Sequence, residues 1–386
     1  MTRQQQDDLA AVSSRFAVHG DLEEIRPYGN GHIHDTYLAS YRHRGHRKRY
    51  VHQRINQRVF RDPPALMGNI QRVTRHLRLK LRQAGVEDPT RRSLTLVPAN
   101  DGSSFVQDPA GNYWRTYDFV EGASTHDTIA SPRMAYEAAR AFGRFQKLLL
   151  DLPPPRLDET IPGFHDTELR FGQFLSALER DPWNRARDAV EQIRFAHSSE
   201  PLIRVLPRLR RQGRLPERIA HNDTKINNVL LDAATGKMLC VIDLDTVMPG
   251  LSVHDFADLM RTGSGTHRED ERDLSRVGVE MPLFEALARG YLAETAHFLT
   301  PTERQYLPFS GQLIAYELGL RFLTDHLEGD VYFKIRREGQ NLDRCRAQFK
   351  LVESIRQHQE QMVRLVEKIA GRAPSNAVRN RGSRPN

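Results

Sequence analysis

The sequence predicts an α+β fold of two lobes, an antiparallel-sheet lobe followed by a mainly helical one. Three observations carry that prediction. Short strand-like runs separated by turns occupy the stretch up to Phe119. Apolar residues at helical spacing dominate from Pro132 onward. Between helical stretches, a polar loop at 221–228 runs directly into a hairpin that closes near Asp243.

The 386 residues, 39% of them apolar, are ample for a large core and give a soft prior of two to three domains. The net charge is +8, and only eight of the 57 basic residues are lysine, so the basicity is arginine. These arginines are spread along the chain with no aromatic-basic interleaving, which argues against a nucleic-acid partner. Two cysteines are too few for a disulfide framework, and Cys240, within an apolar strand, reads as a small buried hydrophobe. No signal-peptide core opens the chain and no run approaches a membrane span, so a cytoplasmic protein with no membrane partner is expected, acting as a monomer.

In chain order, residues 1–24 form a polar lead-in with room for one helix. Ile25–Tyr28 leads into the loop Gly29-Asn30-Gly31-His32-Ile33-His34-Asp35, followed by a strand at Thr36–Tyr41. The basic turn Arg42–Arg47 precedes a third strand near Arg49–Ile55. A helix is expected over 64–83, from Leu66, Met67, Ile70, Val73, Leu77 and Leu81. Further strands are expected at Ser93–Val97 and, after the turn Asp108-Pro109-Ala110-Gly111, at Asn112–Phe119. An Ala-rich helix then runs from Pro132 to Leu150, with Phe142 and Phe145 on its inner face. The Pro-rich stretch 151–163 is a connector to a helix ending near Arg180, and the Arg-rich stretch 201–218 reads as a solvated helix and loop. Asp255 and Asp258 open a helix after the hairpin, with Asp255 expected to brace the preceding loop. Helices follow at 283–298, 302–327 and 341–370, and Arg372–Asn386 has the composition of a disordered tail.

The chemistry concentrates in His221-Asn222-Asp223-Thr224-Lys225-Ile226-Asn227-Asn228, then strands at 229–232 and 238–242 around the turn Ala233–Lys237. The outer ends of a hairpin lie side by side, so Asn228 and Asp243 can meet at one point, with Asp223 on the loop entering it. Two carboxylates and an amide oxygen suit Mg²⁺, which takes hard oxygen ligands and keeps several waters. H-x-D-x-K-x-x-N followed by a hairpin-closing Asp is also the spacing of the protein-kinase catalytic loop and metal-binding Asp. On that reading Asp223 accepts the proton of a substrate hydroxyl, Asn228 and Asp243 hold magnesium, and Lys225 serves the transferring phosphoryl of ATP.

The spacing implies a two-lobed protein-kinase-like fold. The expected nucleotide-binding lobe covers 1–118, a hinge 119–123 and a catalytic and substrate-binding lobe 124–371, with 372–386 as the tail. Backbone N–H groups of Gly29, Asn30 and Gly31, about 190 residues before the loop, are candidates for the phosphates. Backbone groups of Asp118, just before the hinge, and Val120, within it, are candidates for adenine. The kinase Lys–Glu pair is missing: no acid occurs between Pro64 and Gln83, and the third strand offers Gln53 and Arg54. Arg54 is the candidate for the α- and β-phosphates.

These motifs resemble the aminoglycoside phosphotransferase and choline kinase superfamily from about Pro27 to Leu365, and within it the N-acetylhexosamine 1-kinase branch. The resemblance adds Tyr117–Gly122, Ile161–Asp166, Val241–Gly250 and Arg321–Phe333 to the residues already named. It implies transfer of the ATP γ-phosphoryl to the anomeric hydroxyl of N-acetylglucosamine or N-acetylgalactosamine, with His32, Arg321 and Tyr332 around the sugar. Two positions depart from the pattern: Gly68 replaces a frequent Glu, and Thr262 follows Arg261 where an aromatic is common. Kinases of aminoglycosides, choline or homoserine, and a silent nucleotide- or nucleic-acid-binding module, are the alternatives.

Overall fold

The structure, a computed structural model, describes residues 3–29 and 33–371; Asn30, Gly31, His32 and the tail 372–386 lie outside the described residues. The chain begins with α1 (Arg3–Ser13), β1 (Asp21–Pro27), β2 (Asp35–His43) and β3 (His46–Arg54). Arg44 and Gly45, both at positive φ, make the tight turn that sets His43 opposite His46. Then come α2 (Pro63–Gln83), the single turn α3 (Pro89–Arg92), β4 (Leu96–Val97), β5 (Val106–Gln107) and β6 (Tyr113–Asp118). The antiparallel sheet has the order β1-β2-β3-β6-β4, with β5 also beside β6.

Alternation along β3 sorts its side chains between two layers. Tyr50 and His52 point to the face covered by α1, in a small core with Leu9, Val12, Phe16 and Trp114. Val51 faces the larger core, which runs without a break from α2 into the helices of the second half. α2 starts at Pro63 because the Asp62 carboxylate accepts from the Ala65 N–H, and its stripe from Leu66 to Leu81 is buried as the periodicity requires.

The second half contains β7 (Ala123–Ser124), α4 (Pro132–Leu148), α5 (Thr167–Arg180), α6 (Val190–Ser198), α7 (Val205–Arg211) and β8 (Arg218–Ala220). It continues with β9 (Val229–Asp232), β10 (Met238–Val241), β11 (Met248–Gly250), α8 (Ser252–Gly263), α9 (Met281–Thr295), α10 (Pro301–Leu327) and α11 (Gln340–Ala370). β9 and β10 form the expected hairpin, and β7 pairs with the outer edge of β9. β8 and β11 pair separately, close to the start of the catalytic-type loop. α10 is held at its start by a capping box between Thr300 and Glu303, and its middle is buried against α8 and α11.

Three expectations change. The strand expected over Ser93–Val97 is only Leu96–Val97, because β6 offers it pairing there alone. β8 and β11 went unpredicted, since runs as short as Met-Pro-Gly carry no strand signal. The Arg-rich stretch is not wholly solvated: Arg218 forms an ion pair with Glu303 at 2.8 Å, their side chains 17% and 2% exposed.

Candidate active site

The loop between β8 and β9 is fixed from beneath by α8. The Asp255 carboxylate, near the start of that helix, accepts from the backbone N–H groups of His221 and Asn222 at 3.0 and 2.7 Å. Thr224 Oγ1 donates to the Asp255 carbonyl, and Gln146 from α4 donates to its carboxylate. His221 donates from Nε2 to the Ile242 carbonyl at 3.0 Å, tying the loop to the far arm of the hairpin. Asn222 adopts a left-handed φ of 65° and packs against Gly250, where a Cβ would lie 2.8 Å from its Oδ1. Only glycine at 250 lets β11 approach that closely.

This bracing turns Asp223 outward beside its two partners. Lys225 Nζ lies 2.9 Å from Asp223 Oδ1. Asn228 Nδ2 donates to the Asp223 backbone oxygen at 2.8 Å and to Oδ2 at 3.1 Å. Burial raises the carboxyl pKa of Asp223, but the Lys225 ammonium prevails and holds it below its usual value. The Lys225 pKa is raised in return, first by Asp223. The Ile242 N–H donates to the Asn228 carbonyl at 2.9 Å, so Asn228 and Asp243 stand at the paired outer ends of the hairpin.

Asp243 has a left-handed backbone, φ 58° and ψ 62°, and a carboxyl in the opposite electrostatic state. Burial first, and then the charges of Asp245 and Asp223, push its pKa well above the usual value. Asp245 is buried too, but Arg115 and His34 outweigh that burial and keep it ionised. The Arg115 fork is bidentate on Asp245, both contacts 2.6 Å, and its Nε donates to Gln53 at 3.0 Å. His34 Nε2 is 3.4 Å from the same carboxylate.

Arg54 is not brought to this group. It lies on the opposite face of β3 from Gln53 and pairs with Asp35 at the exposed sheet end. The buried cation behind Asp243 is Arg115, which no local pattern marks because its partner lies 130 positions away. At the segment joining the two halves, the Asp118 and Phe119 N–H groups bond Thr95 and Arg49. The Val120 N–H has no hydrogen-bond partner among the described residues, although the residue is only 8% exposed. Gly29, φ +79°, has open space where a Cβ would be.

Arg321 and Tyr332, the residues the resemblance implies around the sugar, lie against each other. Their side chains meet at 3.4 Å, and the guanidinium also lies over the rings of Phe164 and Phe333 at 5.9 and 5.4 Å. Asp325 holds the turn that carries Tyr332, accepting from the N–H groups of Tyr332 and Phe333 at 2.7 and 2.9 Å. Next to Phe164, His165 bridges Glu317 at 3.0 Å and the Asn222 carbonyl at 2.9 Å, linking this cluster to the residue before Asp223. Burial alone would lower the His165 pKa, but Glu317 raises it.

Residues 24–302 match the model of the family described as the phosphotransferase enzyme family. The chain belongs to that family. Its fold is shared with an aminoglycoside phosphotransferase from Alicyclobacillus acidocaldarius, at 15% identity over 93% of this chain and 96% of that one, TM-score 0.59. It is shared too with a choline/ethanolamine kinase family protein from Mesorhizobium loti, at 15% identity over 95% and 100%, TM-score 0.53. A spectinomycin phosphotransferase solved with ADP and spectinomycin matches at 14% identity over 94% and 99%, TM-score 0.53. The family is that of the expected superfamily, and the two-lobed kinase-like architecture is the one observed. This phosphotransferase has, among its described residues, no helix long and apolar enough to cross a membrane.

Proposed function

We propose that this phosphotransferase moves the γ-phosphoryl of ATP to a hydroxyl of a small, oxygen-rich acceptor, first among them the anomeric hydroxyl of N-acetylglucosamine or N-acetylgalactosamine. The observation that carries this is the juxtaposition of Asp223, Lys225 and Asn228 with Asp243 across the mouth of one hairpin.

The residues fit magnesium. Asn228 directs its amide nitrogen to Asp223, which leaves its oxygen as a hard donor, and Asp243 is a buried carboxyl crowded by two further acids. A divalent cation relieves that crowding, and Asn228 and Asp243 would hold it. Bound Mg·ATP supplies the transferable phosphoryl group and offsets its charge.

The chain's own residues position and neutralise. Asp223, kept ionised by Lys225, orients the acceptor hydroxyl and takes its proton late in transfer. Lys225 lies where negative charge develops on the moving group. Arg115 holds Asp245 in its ionised form beside Asp243. The unpartnered Val120 N–H offers one donor for an adenine ring in the 119–123 segment, and Arg321 with Tyr332 gives the acceptor side donors without a carboxylate. Five guanidinium donors and no acceptor disfavour a polycationic aminoglycoside.

The decisive experiment is ATP consumption against a panel of free sugars, with the product identified. Free N-acetylhexosamine should be phosphorylated at the anomeric oxygen, and its 1-deoxy analogue should be inert. Turnover of kanamycin-like amines with none of hexosamines would sink the sugar reading.

A further inference from the structure

We infer that the cleft between α5 and α10 takes an anionic group carried by the acceptor, a carboxylate or a phosphate, and that Arg170 and Arg321 are its cationic contacts. The inference rests on the sugar-phosphotransfer reading above and adds that a sugar with an anionic substituent binds better than its neutral counterpart.

The cleft encloses about 320 Å³ and is lined by Arg170, Gln173, Arg180, Arg321, Tyr332 and Phe333, among others. Its charges do not balance internally. Arg180 is neutralised by Glu328 at 2.6 Å. The carboxylate of Asp325 is engaged by two backbone N–H groups and by Asn341, so it offers nothing to the arginines. Among the described residues, neither Arg170 nor Arg321 has a carboxylate within 4.0 Å.

Arg170 donates only to neutral groups: the Gln173 side chain at 3.1 Å and the carbonyls of Gly163 and Phe164 at 3.3 and 3.2 Å. Its Nε is buried without a partner. Arg321 has one long contact with Tyr332 and otherwise aromatic faces. The two guanidiniums also repel one another: burial first, then Arg321, pulls the Arg170 pKa below its usual value, and the more distant charges of Glu317 and Asp166 do not offset them.

Two unpaired cations beside a partly desolvated cleft are stabilised by a shared anion. A planar fork suits the paired oxygens of carboxylate and phosphate alike. The location agrees with an acceptor bound by both ends. Phe164 lies under Arg321, and His165 beside it bonds the carbonyl of Asn222, the neighbour of Asp223. The reacting hydroxyl would face Asp223 and the anion would face the arginine pair.

The test uses the full chain and three matched acceptor comparisons in the presence of Mg·ATP: glucose against glucuronate, galactose against galacturonate, and N-acetylglucosamine against its 6-phosphate. At least one anionic member should have a KM about tenfold or more below its neutral counterpart, and the pair in which this occurs identifies carboxylate or phosphate. Arg170→Gln should remove most of that preference while moving the KM for ATP less than about twofold. Gln173→Glu, an exposed substitution that places a carboxylate beside Arg170, should remove it as well without threatening the fold. Equal use of neutral and anionic members, or a preference that survives both substitutions, overturns the inference and leaves the phosphotransfer reading standing.

Discussion

At Asp243 burial and the like charges of two neighbouring acids act in the same direction. It is buried, its backbone is left-handed, and Asp245 and Asp223 both raise its carboxyl pKa. An Ala at this position relieves the repulsion but removes the charge proposed to hold magnesium. Asp243→Ala should therefore abolish turnover, and near-normal activity with unaltered magnesium dependence would remove Asp243 from the metal set. Lys225 differs in kind. Its side chain is 42% exposed and contacts Asp223, so solvent screening limits its structural worth. Lys225→Ala should lower kcat by roughly 100-fold, the lower end for loss of one charge-stabilising donor, with little effect on acceptor KM. A change confined to acceptor KM would make it a binding residue.

At the scale of elements, what was legible in the sequence depended on how local the signal was. The hairpin at 229–241 was readable because strand pattern, turn and flanking polar residues all lie within one short stretch, and α2, α4, α9, α10 and α11 announced themselves by long periodic stripes. Gln53 was visible only as a position lacking the expected Lys; its role as an acceptor for Arg115 required β3 and β6 to pair. The Arg115–Asp245 pair and the His165–Glu317 bridge join elements far apart in sequence, and nothing local to an Arg or a His distinguishes these from solvated ones. The closeness of α4 and α9 was equally hidden. Both helices carry a glycine at their crossing: a Cβ on Gly290 would lie 2.1 Å from the Tyr136 carbonyl oxygen, and one on Gly143 would lie 2.8 Å from that of Tyr291. Backbone cannot yield as a flexible side-chain tip does. Gly290→Ala should destabilise the protein by about 1–3 kcal/mol by overpacking, despite the better helix propensity of Ala. A melting temperature equal to or above the parent's would show that the helices separate freely.

Across the whole molecule, acid acts on both halves through histidines buried in their neutral form. His52 sits between the first sheet and α1, bonded to Ser13 and Thr116 at 2.7 Å each, and burial lowers its pKa from 6.5 to about 4. His254 lies against His165 in the helical half, and burial followed by the His165 charge lowers its pKa to about 3. For both, the unfolded chain takes up a proton before the folded chain does, so stability is fully present above 6.5 and is lost as pH falls toward the folded values. The shift at His52 alone, 6.5 to about 4, corresponds to a loss of about 3 kcal/mol. The two ion pairs behave differently. Asp245 and Glu317, whose pKa values lie below 3.8 and 4.5, keep their charges through this window, so their contribution to folding declines only as pH drops below those ordinary values. His165, with its pKa raised, contributes stability below 6.5 that is lost as pH climbs through its folded value. Between pH 6.5 and 4.5 the histidine loss should dominate. Thermal melts of the full chain should fall steadily over that range. His52→Gln, which keeps a donor and an acceptor but cannot titrate, should begin less stable at neutral pH and fall with a shallower slope. A variant whose melting temperature declines in parallel with the parent's would show that His52 takes no part in the acid response, and would leave His254 to account for it.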